Sequence, residues 1–237
     1  MRRKIAALLA VCIGLGFVLT SCGGDDGADT KAAFVYVGPV GDAGWTYAHD
    51  EGRQYAESET GVETAYVEAV PEGTADFANY VRDFIDQGYN VIIGTSFGYM
   101  DDMLALADEY PDVVFEHVSG YKMNDSNFGN TFGRMYEPRY LSGMVAGSAT
   151  SSGLIGYVAA FPIPEVIRGI NAFTLGVQAI NPSAQVEVIW TSTWFDPVVE
   201  GARDGTSFRD GRPGRVRAPC TPVFVFPISN PPGAVGP

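Results

Sequence analysis

The sequence predicts an α/β fold of two doubly wound lobes, each a parallel sheet between helices. Three observations carry this. Short β-rich apolar runs recur without polar alternation, as in strands buried on both faces. Between them lie stretches whose apolar residues return at three- and four-residue steps, the mark of amphipathic helices. The alternation runs in two series, through residues 33–115 and 137–190, which argues for two layered units.

The first series opens with Ala33-Phe34-Val35-Tyr36-Val37, a strand stopped by Gly38-Pro39. Residues 44–57 have helical spacing, and 62–67 form a second strand. Phe77, Val81, Phe84 and Ile85 mark one face of a helix over 74–87, with Gly88 at its C′ position. A third strand over 90–94, a helix over 100–109 and a strand over 113–115 follow, Pro111 helping to stop the helix. In the second series, 137–150 is a helix rich in small residues (Gly143, Ala146, Gly147, Ala149). A strand over 154–159, a helix over 164–180 with Pro164 at its start, and a strand over 185–190 complete it. The expected divisions are a first lobe at 32–134 and a partial second lobe at 135–200.

Parallel sheets bind ligands beyond the carboxyl ends of their strands, which directs attention to loops 38–46, 94–100, 116–122, 160–165 and 191–197. In the first, Asp42 precedes Trp45; the carboxylate could cap the next helix or face a ligand, and the indole could be core or cleft. The second holds Ser96, Phe97 and Tyr99, and the last holds Trp194 before Asp196-Pro197. Trp45 and Trp194 thus fall in loops of opposite lobes. Aromatic faces on both walls of a cleft suit a flat ring held by stacking; a sugar could also use them. The candidate ligand-binding residues are Trp45, Trp194, Asp42, Phe97, Tyr99 and Ser96.

Charge separates the chain into zones. The whole has 237 residues and a net charge of -13, a poor match to the phosphates of nucleic acid. Residues 1–21 hold three basic residues and no acid, residues 201–237 hold five Arg and two Asp, and residues 22–200 hold 7 basic and 26 acidic residues. Arg2, Arg3 and Lys4 precede the apolar run Ile5 to Leu19, short for a membrane span of about 20 residues. The run ends in Leu19-Thr20-Ser21-Cys22. Small residues before a Cys resemble the lipobox of bacterial lipoproteins, so residues 1–21 are expected to be a signal peptide and Cys22 the lipid attachment site. Residues 22–31 then form a flexible tether. With Cys12 in the signal and Cys220 in the last zone, the binding region has no disulfide framework.

Residues 22–200 contain no P-loop and no G-x-S-x-G elbow, and His49 and His117 are the only histidines. No nucleophile–base set is visible, so an enzyme is not expected, and neither a cofactor nor a metal is implied. Asn124-Asp125-Ser126 matches a glycosylation sequon but is uninformative here.

Certain stretches resemble the basic membrane protein family of solute-binding lipoproteins, which serve ABC importers. They are 38–50, from Gly38-Pro39 through Trp45 to His49-Asp50, then Thr95 to Asp101, Phe115 to Lys122, Pro162 to Asn171 and Trp190 to Pro197. The likeness spans about 32–200 and is closest to members that bind purine bases such as adenine. It implies a type I periplasmic-binding-protein fold, a ligand between two lobes, and an ABC permease and ATPase as partners. It also implies a place on the extracytoplasmic face of a bacterial membrane. More distant members stack a purine between two rings, and Trp45 and Trp194 match those positions. A nucleoside or simple-sugar binder, or a ligand-sensing module, is the alternative.

After Glu200 the pattern changes. Residues 201–237 hold 7 of the 15 Pro residues and reverse the charge sign. Their Arg, Gly and Pro enrichment suggests a frameshift near residues 198–203, with the second lobe truncated and the product unstable or weakly binding. A genuine Pro-rich tail is the alternative.

Overall fold

The computed structural model describes residues 29–200. The expected signal peptide, Cys22, most of the tether and the 201–237 tail lie outside the described residues.

The first lobe is built on a five-stranded sheet whose pairings are all parallel. Its strands are β1 (Lys31–Val35), β2 (Glu63–Val67), β3 (Val91–Gly94), β4 (Val114–Val118) and β5 (Phe128–Thr131), in the order β2-β1-β3-β4-β5. Helices α1 (Trp45–Thr60), α2 (Asp76–Asp86) and α3 (Met100–Glu109) connect the first four. Both faces of β1 are covered. Ala33 and Val35 join a core with Ile92 and Phe115 of the sheet, Phe77 and Val81 of α2, and Met103 and Leu106 of α3. Phe34 and Tyr36 pack on the other side with Val91 and Ile93. There the Tyr36 hydroxyl donates to Asp50 of α1 at 3.3 Å. Asp50 also accepts bonds from Arg53 at 2.8 Å and Gln54 at 2.6 Å. Two-sided burial is why these strands read as continuous apolar runs.

β5 is a strand the sequence pattern does not show. Gly129 and Asn130 are poor strand formers, and a local turn at Asn124 together with long-range bonds from Asn127 holds it instead. Asn124 Oδ1 accepts the N–H groups of Ser126, Asn127 and Phe128. The Asn127 amide donates to the carbonyls of Ala107, Tyr110 and Val113. Pairing with β5 extends β4 through Glu116 and His117, which sequence alone places in a loop.

Residues 132–135 lead to the second lobe. It contains α4 (Tyr136–Ala149), β6 (Leu154–Ala159), α5 (Pro164–Ile180) and β7 (Gln185–Trp190), with β6 and β7 parallel. The small residues of α4 have a direct purpose. A Cβ on Gly143 would run into the backbone of Phe173, and one on Gly147 would lie 2.7 Å from the Val177 carbonyl oxygen. Gly176 of α5 faces Tyr140 and Met144 in the same way. The two helices approach backbone to backbone. Among the described residues no helix is long and apolar enough to cross a membrane.

Candidate functional site

The order β2-β1-β3 places a topological switch point between β1 and β3, where the connections leave in opposite directions and open a crevice. Trp45 follows β1 there, and Ser96 and Phe97 follow β3. These residues line a cavity of about 270 Å³ with Trp194 of the second lobe. Phe132, Met135, Arg139, Tyr157, Glu165 and Val166 complete much of the wall. The volume lies just below the usual range for ligand pockets, about 300–1,000 Å³.

Asp42 stands at the mouth of α1. Its Oδ1 accepts the N–H groups of Gly44 at 2.8 Å and Tyr47 at 2.9 Å, and its Oδ2 that of Thr46 at 2.9 Å. Burial pushes the Asp42 carboxyl up, but these N–H bonds outweigh it and hold it below the usual carboxylate range. It orients the turn that presents Trp45 and is not among the cavity residues. The Trp45 indole N–H donates to the Thr95 carbonyl at 2.6 Å. Its ring stacks obliquely on His49, with centroids 4.4 Å apart. Trp45 is therefore a cleft wall fixed within its own lobe.

Tyr99 needs a correction. Its ring is 0% exposed, stacked on Phe77 with centroids 4.2 Å apart. Its hydroxyl donates to the Val70 carbonyl at 2.5 Å. The 3₁₀ turn at Phe97–Tyr99 points Phe97 to the cavity and Tyr99 to the core. Sequence alone cannot separate residues two apart in a turn.

Sequence reading passes over Glu72, in the loop after β2. Its Oε1 accepts from the Ser96 hydroxyl and from the Gly98 N–H at 2.7 Å. Its Oε2 accepts the Trp194 indole N–H at 2.8 Å. A second bond joins the lobes where Ser119 donates to Glu165 Oε1 at 2.5 Å. The available signal was positional, since the loop after β2 is a strand-end loop like the others. Phe132 had no such signal, because it follows the unseen strand β5. Its ring lies 6.1 Å from that of Trp45, and the Arg168 guanidinium lies 5.9 Å from its centroid.

Strain gathers around the same rim. Among the described residues, the non-glycine residues with positive φ are Ala43, Ala69, Ser119 and Ser192, and each follows the carboxyl end of a strand. Such residues cost about 1–3 kcal/mol and persist where surrounding contacts over-determine them. His117 lies beneath the cleft, 0% exposed. Its Nε2–H donates to the Ser96 carbonyl at 2.7 Å, and its Nδ1 accepts from the Asn130 amide at 3.3 Å. Burial favours the neutral ring there.

Two α/β lobes with a cavity at the switch point define a periplasmic-binding-protein fold of the kind used by ABC systems. A solute-binding protein of Aeropyrum pernix K1 matches it with a TM-score of 0.62 at 20% identity, over 73% of this chain and 50% of that one. The chain belongs to the Bmp family, described as ABC transporter substrate-binding protein PnrA-like, which matches residues 29–211. The match extends beyond residue 200, the end of the stretches that resemble the family by sequence. A putative ABC transporter glucose-binding protein of Haloferax volcanii is 47% identical over 187 residues, 77% of this chain and 46% of its own. A purine-binding protein of Brucella abortus is 45% identical over 169 residues, 70% of this chain and 48% of its own. The chain thus spans about half the length of these relatives.

Proposed function

We propose that the protein binds a small planar solute, a purine base such as adenine, between its lobes and delivers it to an ABC permease with its ATPase. The carrying observation is the pair of indoles from opposite lobes on one cavity, Trp45 and Trp194. Each has its N–H bonded to a first-lobe acceptor that does not line the cavity. That leaves apolar ring faces for stacking, and Ser96, Arg139 and Glu165 for the polar edge of a ligand. The similarity to the Brucella purine-binding protein supports the same reading.

The Haloferax relative favours a second reading, a simple sugar. Trp faces also bind sugar rings. Isothermal titration of the purified chain with adenine, guanine, hypoxanthine, adenosine and glucose separates the two. Saturable heat with adenine and none with glucose is expected; the reverse pattern would sink the purine assignment.

Anchoring is part of the proposal. The motif ending at Cys22 would place a lipid on the new N-terminus and hold the protein on the extracytoplasmic face of the membrane. Labelled palmitate should enter the wild-type chain and not a Cys22→Ala variant. Equal labelling of both would remove the anchor.

A further inference from the structure

The two indoles of the cleft are held in different ways. Trp45 is bonded to Thr95 of its own lobe, so its orientation does not depend on the second lobe. Trp194 belongs to the second lobe, yet its indole N–H ends on Glu72 of the first. That bond exists only while the lobes are together. We propose that Glu72 is a positioning residue that couples lobe closure to the orientation of the Trp194 ring.

The setting of Glu72 fits this. Its loop is pinned where the Ala69 N–H bonds to the Gly38 carbonyl at 3.2 Å and the Val70 N–H to the Tyr36 carbonyl at 3.0 Å. The buried Tyr99 hydroxyl closes on Val70 from the other side. Both oxygens of Glu72 are engaged as acceptors. Oε1 serves Ser96 and Gly98 inside the first lobe, and Oε2 reaches across the cleft to Trp194. Position 98 must be small for this. A Cβ there would lie 2.6 Å from Glu72 Cδ and 2.8 Å from Oε1. A glutamine at 72 has one acceptor oxygen, so it must turn an NH₂ group toward an N–H or O–H donor on one side.

The inference rests on the stacking reading of the cleft, and a double-mutant cycle tests it. The full chain is prepared as wild type, Glu72→Gln, Trp194→Phe and the double variant. Glu72→Gln should weaken adenine binding about tenfold or more, the scale of one hydrogen bond to a charged acceptor. In the Trp194→Phe background the same change should have no further effect. An equal loss in both backgrounds would show that Glu72 does not act through Trp194.

A second readout needs no ligand. Subtracting the Trp194→Phe emission spectrum from wild type, and the double variant's from Glu72→Gln, gives Trp194 emission with and without the bond. Displaced difference spectra support the proposal and superimposable ones overturn it. Should wild type bind no purine, the purine reading fails while the emission comparison still decides the role of Glu72. Gly98→Ala guards against a folding defect at position 72. It pushes the carboxylate aside without removing its charge and should reproduce the Glu72→Gln loss of affinity; wild-type affinity in Gly98→Ala would count against the proposal.

Discussion

At the scale of single residues, the site divides between groups that face the cavity and groups that hold them. Trp45→Ala and Trp194→Ala each remove a ring wall and are expected to lower purine affinity by tenfold or more, as buried aromatic anchors do. Isothermal titration measures this, and unchanged affinity in both would dismiss stacking. Tyr99→Phe keeps the ring against Phe77 and loses only the hydroxyl bond to Val70. The orphaned buried carbonyl should cost about 1–3 kcal/mol in urea unfolding. It should leave the cavity chemically unchanged, since Tyr99 does not line it. A Tyr99→Phe protein with normal stability and lost binding would restore Tyr99 to the ligand.

At the scale of elements, the pairing of α4 with α5 is the clearest case of sequence setting geometry. Gly143, Gly147 and Gly176 let the two backbones meet. Gly176→Ala would place a methyl group against the Tyr140 carbonyl and 3.0 Å from the Met144 nitrogen. The helices must separate, with an expected loss of about 1–3 kcal/mol by overpacking. Thermal melting detects it, and an unshifted midpoint would mean the helices move apart freely. Gly153→Ala is a useful contrast. Its φ of 73° is the obstacle there, because open space surrounds its Cβ. The element that escaped sequence reading, β5, was hidden for a related reason. Phe128-Gly129-Asn130-Thr131 has no strand pattern of its own. It becomes a strand because Asn124 fixes a local turn before it and Asn127 ties that turn to the end of α3 and the start of β4 by side-chain bonds to Ala107, Tyr110 and Val113.

At the scale of the whole molecule, the lobes are unequal. The first has a two-sided sheet and a continuous core. Among the described residues, the second buries only Ala159, Ile170, Val177 and Ala184 as apolar side chains. Leu141 and Val145 of α4 are 62% and 68% exposed. Hydrogen exchange should therefore be faster across residues 136–190 than across the first sheet; equal protection would refute this imbalance.

Acid should weaken the fold through the two histidines. Burial pushes both His49 and His117 below the ordinary imidazole value. Between the folded and unfolded values the unfolded chain binds more protons. Their contribution is thus complete above about pH 6.5 and is lost as pH falls through the lower folded values. Urea midpoints should drop from about pH 7.5 to about pH 5.5, and less steeply in His117→Gln. A flat profile in the wild type would remove this linkage.

What the sequence determined by itself is the layered α/β order, the strand-end loops, and Trp45 and Trp194 as candidates in loops of opposite lobes. These are local matters: apolar runs, helical periodicity and loop position are written in neighbouring residues. Only the tertiary structure decided which side each loop residue faces, so Tyr99 went to the core and Phe97 to the cavity. It alone revealed β5, and with it Phe132, and placed Glu72 against Trp194, 122 residues away. Those outcomes depend on hydrogen bonds between distant segments, whose partners no local pattern can name.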